Sequence, residues 1–284
     1  MTRIAVLTCR RLPEPDPDHE PLLESLREAG ADARPLAWDD DSADPGAFDL
    51  CVLRSTWTYY LDPDRFLAFC ARCDAESTLL NPLGVVRGNI HKSYLHSLER
   101  RGVPVIPTEF LPRGRRPDLP VIMRRRGWAR VVVKPAISAA SWRTRVFSRA
   151  DADEGPAFLT GLVRDRDALV QRFMPEVDRS GERSIVWIAG EPTHAVRKAP
   201  RLAGEDEQVS GALPVSDEER RLSRAALDGL ERGCLYARVD LIRDDAGGLL
   251  VSELELIEPS LFLIQHPPAL ARLRDAILSA ADGA

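Results

Sequence analysis

The chain has 284 residues, 44% of them hydrophobic and 29% charged. That balance supports buried cores without a disulfide or metal staple and excludes a disordered or collagen-like chain. A net charge of −5 argues against general affinity for nucleic acid. No apolar run approaches the ~18 to 20 residues of a membrane span, no signal-peptide pattern opens the chain, and the five cysteines, at 9, 51, 70, 73 and 234, make no disulfide framework. The expectation is a cytoplasmic protein without membrane or nucleic-acid partners. Of 39 basic residues only Lys92, Lys134 and Lys198 are lysine. In so arginine-biased a sequence, a retained lysine marks a place where a compact, mobile ammonium serves better than a guanidinium fork.

In chain order, RIAVLT, a helix over HEPLLESLREAG, DARPLAW and FDLCVLRS read as βαβ repetition, which predicts a parallel sheet covered on both faces. No G-x-G-x-x-G follows the first strand, where Cys9-Arg10-Arg11 stands, so a dinucleotide site is disfavoured. A helix over residues 62–74, the strand STLLNP and a turn at Pro82-Leu83-Gly84 close this unit near residue 88. NIHKSYLHSLERRG predicts one helix of about twelve residues ending at Gly102, followed by the extended VPVIPTEFLP. The arginines of residues 113–130, with Trp128, read as a solvated face rather than a nucleic-acid patch. VVVKP is a buried strand ending at Lys134, and SAASWRTRVF turns into another. DALVQRFMPEV, RSIVWIAGEPTHAVRKAP and LYARVDLIRDDAGGLLVSELELIEP add strands around the helix SDEERRLSRAALDGLERG, and HPPALARLRDAILSAADGA closes the chain as an amphipathic helix.

Several chemistries can be set aside: there is no Gly-Lys dipeptide and hence no Walker loop, no H-E-x-x-H and no G-x-S-x-G elbow. Cys70-x-x-Cys73 has no second ligand pair near it and reads as two thiols on a helix. The informative stretch is 236–260, a strand ending in Arg238-x-Asp240, a turn at Gly247-Gly248, and a return strand with Glu253, Glu255 and Glu258. Residues two apart on a strand face one side, so Glu253 and Glu255 project together, with Asp240 on the partner strand. Like charges among Leu and Val need cations to neutralise them, and hard oxygen ligands from two strands suit Mg²⁺. Glu258 has the opposite parity and joins such a cluster only past a bulge or at the strand end.

Asn89-x-x-Lys92, Val-Lys134-Pro135, Gln171-x-Phe173 before Glu176, Gly181-Glu182 opening a strand, Arg238-x-Asp240 and the acidic return strand follow one another as in ATP-grasp ligases. The chain resembles that superfamily over nearly its whole length. LRSTWTYYLDPDRF, NPLGVVRGNIHKSYL and ELELIEPSLFL are similar to the branch containing the cycloserine-forming ligase. The resemblance implies an α/β ATP-grasp fold: an N-terminal Rossmann-like (pre-ATP-grasp) domain over 1–88, a small central α+β subdomain over 89–170, and a C-terminal α+β subdomain over 171–284 with the metal site. It implies ATP and Mg²⁺ as cofactors. Lys92 and Lys134 would approach the adenine and phosphates, and the loop from Ser138 to Ser141 would cover the phosphates. Gln171 to Phe173 would meet the adenine edge from a hinge, Glu176 the ribose, and Glu182 would complete the nucleotide site. Lys198 and Arg238 would act on the transferred phosphoryl group. The metal ligands would be Asp240 and Glu255 with Glu253 or Glu258.

The implied reaction activates a small amino-acid-like carboxylate as an acyl phosphate, which an amine then displaces, in specialised metabolism. Alternatives are cyclisation or phosphorylation of a single substrate, or a nucleotide-binding regulator without chemistry. Arg54, Ser55 and Trp57 end a long strand, a favoured ligand position in an open α/β sheet, and are the candidate substrate residues, with Trp57 and Tyr59 equally readable as core aromatics. The family also implies a homodimer. Three departures from the branch, Thr58 in place of Asp, Gly88 in place of an aromatic, and an acidic loop, with Glu205, Asp206 and Glu207, where an arginine is usual, imply either a different substrate or a loop ordered only by bound ligand.

Overall fold

A computed structural model of the chain describes residues 1–151, 153–199, 208–230 and 233–282. It contains three four-stranded sheets. In the first, β1 (Arg3–Thr8), β2 (Asp32–Ala37), β3 (Leu50–Ser55) and β4 (Thr78–Leu80) run parallel in the order β2-β1-β3-β4. The side-chain period of two divides its residues between two cores. Ile4, Val6, Leu50 and Val52 face Leu22, Leu23 and Leu26 of α1 (His19–Glu28), whereas Ala5, Leu7, Cys51 and Leu53 face Phe66, Phe69, Cys70 and Cys73 of α2 (Pro63–Glu76). Continuous apolar strands with helices on both sides are what the βαβ pattern predicts.

The chain from 83 to 106 departs from expectation. The predicted turn at 82–84 is the start of a helix, α3 (Leu83–Asn89), and the predicted twelve-residue helix is a shorter one, α4 (Tyr94–Arg100). The break between them has a physical cause. Lys92 N–H donates to Ala136 O at 2.8 Å, and the Asn89 side chain bonds Leu254 O at 2.8 Å and Leu256 N at 2.9 Å. Those long-range bonds outcompete helical continuation and leave Lys92 in the turn between α3 and α4. Leu95, Leu98 and Val103 pack with the third sheet.

The second sheet comprises β5 (Thr108–Leu111), β6 (Arg130–Pro135), β7 (Arg145–Ser148) and β8 (Ala168–Arg172), antiparallel in the order β5-β8-β6-β7. Val131, Val133, Ala168 and Val170 bury one face under α5 (Leu119–Arg126) and α6 (Glu154–Asp165). The residues of opposite parity, Val132, Lys134 and Gln171, are left to line a cavity. The strand predicted to reach residue 177 stops at Arg172, since Pro175 lacks the N–H a ladder needs and instead precedes a short helix, α7 (Glu176–Ser180).

The third sheet, β9 (Glu182–Ile188), β10 (Glu191–Lys198), β11 (Tyr236–Arg243) and β12 (Leu249–Glu255), is antiparallel in the order β10-β9-β11-β12. Its odd-numbered β9 and β11 residues Ile185, Trp187, Val239 and Leu241 pack with Ala226 and Leu227 of α8 (Asp217–Leu227). On the other face, Val186, Ile188 and Tyr236 join the first sheet's core together with Leu273 and Ile277 of α9 (Pro267–Asp282). Along that same face the residues then change from apolar to charged: Arg238, Asp240, Glu182 and Lys198. No helix among the described residues is long and apolar enough to cross a membrane.

Candidate active site

A cavity of about 310 Å³ opens where the three sheets meet. All three lysines of the chain line it, with Arg238. Lys134, near the end of β6, donates to Glu253 at 2.5 Å, and Lys92 lies 3.7 Å from the same carboxylate while donating to Ser138 O at 3.3 Å. Lys198, at the end of β10, meets Asp240 at 2.6 Å and Glu182 at 3.0 Å. Arg238 grips Asp240 with two nitrogens, at 2.9 and 3.0 Å, and reaches Glu255 at 2.5 Å.

The carboxylates converge because of register. Asp240 pairs with Glu253 and Arg238 with Glu255, and the ladder then slips between Asp240 and Leu241, leaving Ser252 as the extra residue of a bulge. The Ser252 hydroxyl fills the gap by donating to Asp240 O at 3.0 Å and bonds Glu182 as well. Oxygens of Asp240, Glu253 and Glu255 all lie within 4.8 Å of one another, the one such grouping among the described residues. An all-oxygen donor set from two adjacent strands fits Mg²⁺.

The electrostatics are those of a site held together by its own opposite charges. Burial alone would raise the Asp240 carboxyl, but Arg238 and Lys198 outweigh it and bring it down to about 2. Burial likewise opposes ionisation of Glu253, and Lys134 and Lys92 overcome it, leaving that carboxyl well below the usual range. For Glu255 burial prevails, with Asp240 and Glu253 adding repulsion that Arg238 only partly offsets, and its carboxyl rises to about 8. Burial also lifts Glu258, against the pull of Lys92, to about 7. A cation arriving among these groups favours their ionised forms.

The other end of the cavity is apolar, with Ile106, Val132, Met174, Val177 and Ile242 on its wall. Gln171 is fixed there by its Nε2 bond to Thr108 at 3.1 Å, and the Arg130 guanidinium lies 3.7 Å over the Phe173 ring. Ser138, Ala139, Ala140 and Ser141 form a further edge. Ala140 and Ser141 have φ of 49° and 54°, the left-handed region that glycine adopts without strain.

Of the residues picked from sequence, the cavity brings together Lys92, Lys134, Ser138, Gln171, Phe173, Glu182, Lys198, Arg238, Glu253, Glu255, Glu258 and Trp57, with Asp240 directly behind them. Glu176 is not on its wall; that carboxylate takes a bond from Ser180 and pairs with Arg179 at 3.6 Å. Glu253, and not Glu258, is among the three carboxylates that gather within 4.8 Å. Arg54 and Ser55 do not line the cavity either. Arg54 is buried, donating to Pro259 O at 3.1 Å with Asp18 4.0 Å away, and the Ser55 hydroxyl donates to Thr8 Oγ1 at 3.1 Å. Thr58 accepts from Trp38 Nε1 at 3.1 Å, and Gly88 has open space around it. Glu205, Asp206 and Glu207 lie outside the described residues. Arg172, within the hinge segment read from sequence, also lines the cavity, as do Glu14, Tyr94 and Ser260, to which no role was given. Glu14 sits in a proline-rich loop without periodicity, which gives no local signal.

A model of the N-terminal domain of the D-cycloserine synthetase DcsG matches residues 4–81. The cycloserine biosynthesis protein DcsG of Streptomyces lavendulae is 31% identical over 278 residues, covering 92% of this chain and 93% of that protein. The crystal structure of D-cycloserine synthetase DcsG superposes with a TM-score of 0.89 at 30% identity, over 98% of this chain and 99% of that one. The ATP-grasp ligase PsnB, in complex with a minimal precursor, Mg and ADP, shares the fold at a TM-score of 0.65 and 18% identity, over 98% of each chain. Matched along nearly all of its length in both sequence and structure, the chain belongs to the D-cycloserine synthetase family of ATP-grasp ligases.

Proposed function

We propose that this protein is an ATP- and Mg²⁺-dependent carboxylate–amine ligase that activates a small amino-acid-like carboxylate as an acyl phosphate. The observation that carries the reading is the meeting of the chain's three lysines and Arg238 with Asp240, Glu253 and Glu255 in one cavity that has an apolar end. The apolar wall of Met174, Val177 and Ile242 suits a purine base, and backbone groups near Gln171 to Phe173 suit its polar edge. Lys92 and Lys134 are placed to leave Glu253 for phosphate oxygens, and Lys198 to leave Asp240. Mg²⁺ held by Asp240, Glu253 and Glu255 would neutralise the β- and γ-phosphate oxygens.

The substrate carboxylate attacks the γ-phosphorus and ADP leaves. Arg238 stabilises the charge spread over the transferred phosphoryl oxygens. A nitrogen then attacks the acyl carbon, the C–O bond to phosphate breaks, and phosphate departs. No side chain becomes covalently bonded, so positioning and exclusion of water carry the catalysis.

The match to a cycloserine-forming protein supports a second form of the same reaction, in which the nitrogen belongs to the substrate itself. Cycloserine is a cyclic hydroxamate, and opening its C–N bond gives β-aminooxyalanine. Both forms are tested by incubating the protein with ATP, Mg²⁺, hydroxylamine and a panel of amino acids of both hands, including β-aminooxy-D-alanine. Hydroxylamine converts any acyl phosphate to a hydroxamate, and product mass separates joining from ring closure. Hydroxamate with matching ADP release is expected; ADP release without hydroxamate or amide across the panel contradicts the reading.

A further inference from the structure

The turn after β12 carries a carboxylate that the metal trio does not use. Glu258 is buried, yet lines the cavity beside Trp57, Tyr59, Arg238 and Ser260. Its backbone is held from every side. Four successive carbonyls each accept a side-chain donor: Ile257 from Tyr236 at 2.8 Å, Glu258 from Trp57 at 2.9 Å, Pro259 from Arg54 at 3.1 Å, and Ser260 from Arg238 at 3.2 Å. Just beyond, the Asp18 carboxylate accepts from the backbone N–H groups of Leu261, Leu263 and Ile264. Most of these donors and acceptors come from the first sheet's layer, more than 180 residues away in sequence from the turn they hold. Such bracing is wasted on a solvated acid and suits one whose oxygen must meet a reacting atom.

The charged and titratable groups around the Glu258 carboxyl are Tyr59, which hydrogen-bonds it, Lys92, Arg238 and Tyr236, with Glu14 and Glu255 on the same cavity wall. Arg238 bonds both the metal trio and Ser260, so it links Glu258 to the phosphoryl end of the cavity.

We propose that Glu258 is the proton acceptor for the nitrogen that attacks the acyl phosphate, a role that rests on the ligase reading above. As the nitrogen lone pair forms the C–N bond and phosphate leaves with the electrons of the C–O bond, the surplus N–H proton passes to a Glu258 oxygen. It goes on to the released phosphate, which restores the carboxylate. Burial opposes the ionised form of this carboxyl, so a proton offered by the attacking nitrogen is readily accepted.

The test is the partition of the acyl phosphate in Glu258→Gln. Hydroxylamine in excess captures the acyl phosphate without help from the enzyme, so the open-chain hydroxamate, resolved by mass from the cyclic one, reports activation, whereas amide or ring product reports the second step. With β-aminooxy-D-alanine, or whichever panel amino acid the wild type activates, E258Q is expected to keep its hydroxamate yield and its Mg²⁺-dependent ATP affinity. Its amide or ring product falls ~10²-fold, and the acid limb expected in the wild-type pH profile of product formation is absent. Unchanged product formation overturns the proposal. So does an equal loss of hydroxamate and of Mg²⁺-dependent affinity, which would make Glu258 a metal ligand or a structural residue. Should E258Q fail to fold, Glu258→Asp decides: a slower second step that retains the pH dependence supports the proposal, and full activity overturns it. Wild-type protein that gives no hydroxamate fails the ligase reading itself, before any variant is made.

Discussion

Lys134 shows how single charges set up the site. Its ammonium holds Glu253 ionised although burial opposes this, and in the proposed reading both groups would exchange partners on binding a polyphosphate and a cation. Lys134→Ala is therefore expected to cost ATP affinity ~10- to 100-fold, the worth of a charge-assisted hydrogen bond, read by calorimetry. It is also expected to lower the melting temperature of the free protein, because Glu253 is left buried without its nearest cation. Unchanged nucleotide affinity would refute the phosphate role. At this scale much was legible in the sequence: three lysines among so many arginines, and alternation that puts Glu253 and Glu255 on one face. Arg54 and Ser55 were not, because their strand-end position reads as a ligand site while their partners, Pro259, Asp18 and Thr8, are fixed only by tertiary contact.

Elements position these charges through two backbone irregularities. The bulge at Ser252 gives Asp240 and Glu253 a shared register. Gly181, between α7 and β9, has φ +69°, and a Cβ there would stand 2.2 Å from Lys198 O. Gly181→Ala thus meets both backbone strain and a clash with the carbonyl of a site lysine. The expected result is a loss of ~2 kcal/mol or more in urea unfolding, with turnover falling further than the unfolded fraction explains; wild-type stability and turnover together would refute it. The Gly181-Glu182 pair was readable as the opening of a strand, and the β11–β12 hairpin from its alternation and its Gly247-Gly248 turn. The break between α3 and α4 was not, since local propensity continues through Lys92 and the bonds of Asn89 and Lys92 to distant segments of the chain end the helix.

For the molecule as a whole, the first and third sheets share a core that includes α1, α9 and the turn after β12. His194 lies buried in that layer, stacked on His266 at 4.8 Å. Burial, reinforced by His266, lowers its titration to about 4 from the ordinary 6.5. Between those values the unfolded chain binds a proton that the folded protein refuses, so stability is full above 6.5 and declines as pH falls towards 4. The decline is up to ~1.4 kcal/mol per pH unit. Urea midpoints at pH 7 and pH 5 are expected to drop more for the wild type than for His194→Gln, and parallel drops would remove His194 as the cause. The ordered motifs made the ATP-grasp architecture legible. The braced turn at Glu258 was not, because it joins residues from opposite ends of the chain.

Asp240 stands at the centre of the proposed metal-dependent nucleotide site. Isothermal titration with a non-hydrolysable ATP analogue, with and without Mg²⁺, on wild type and Asp240→Asn, tests it most directly. Tight binding that requires both Mg²⁺ and the Asp240 carboxylate is the predicted result. Binding of equal strength without Mg²⁺ or in the variant, or no binding by the wild type, would contradict it.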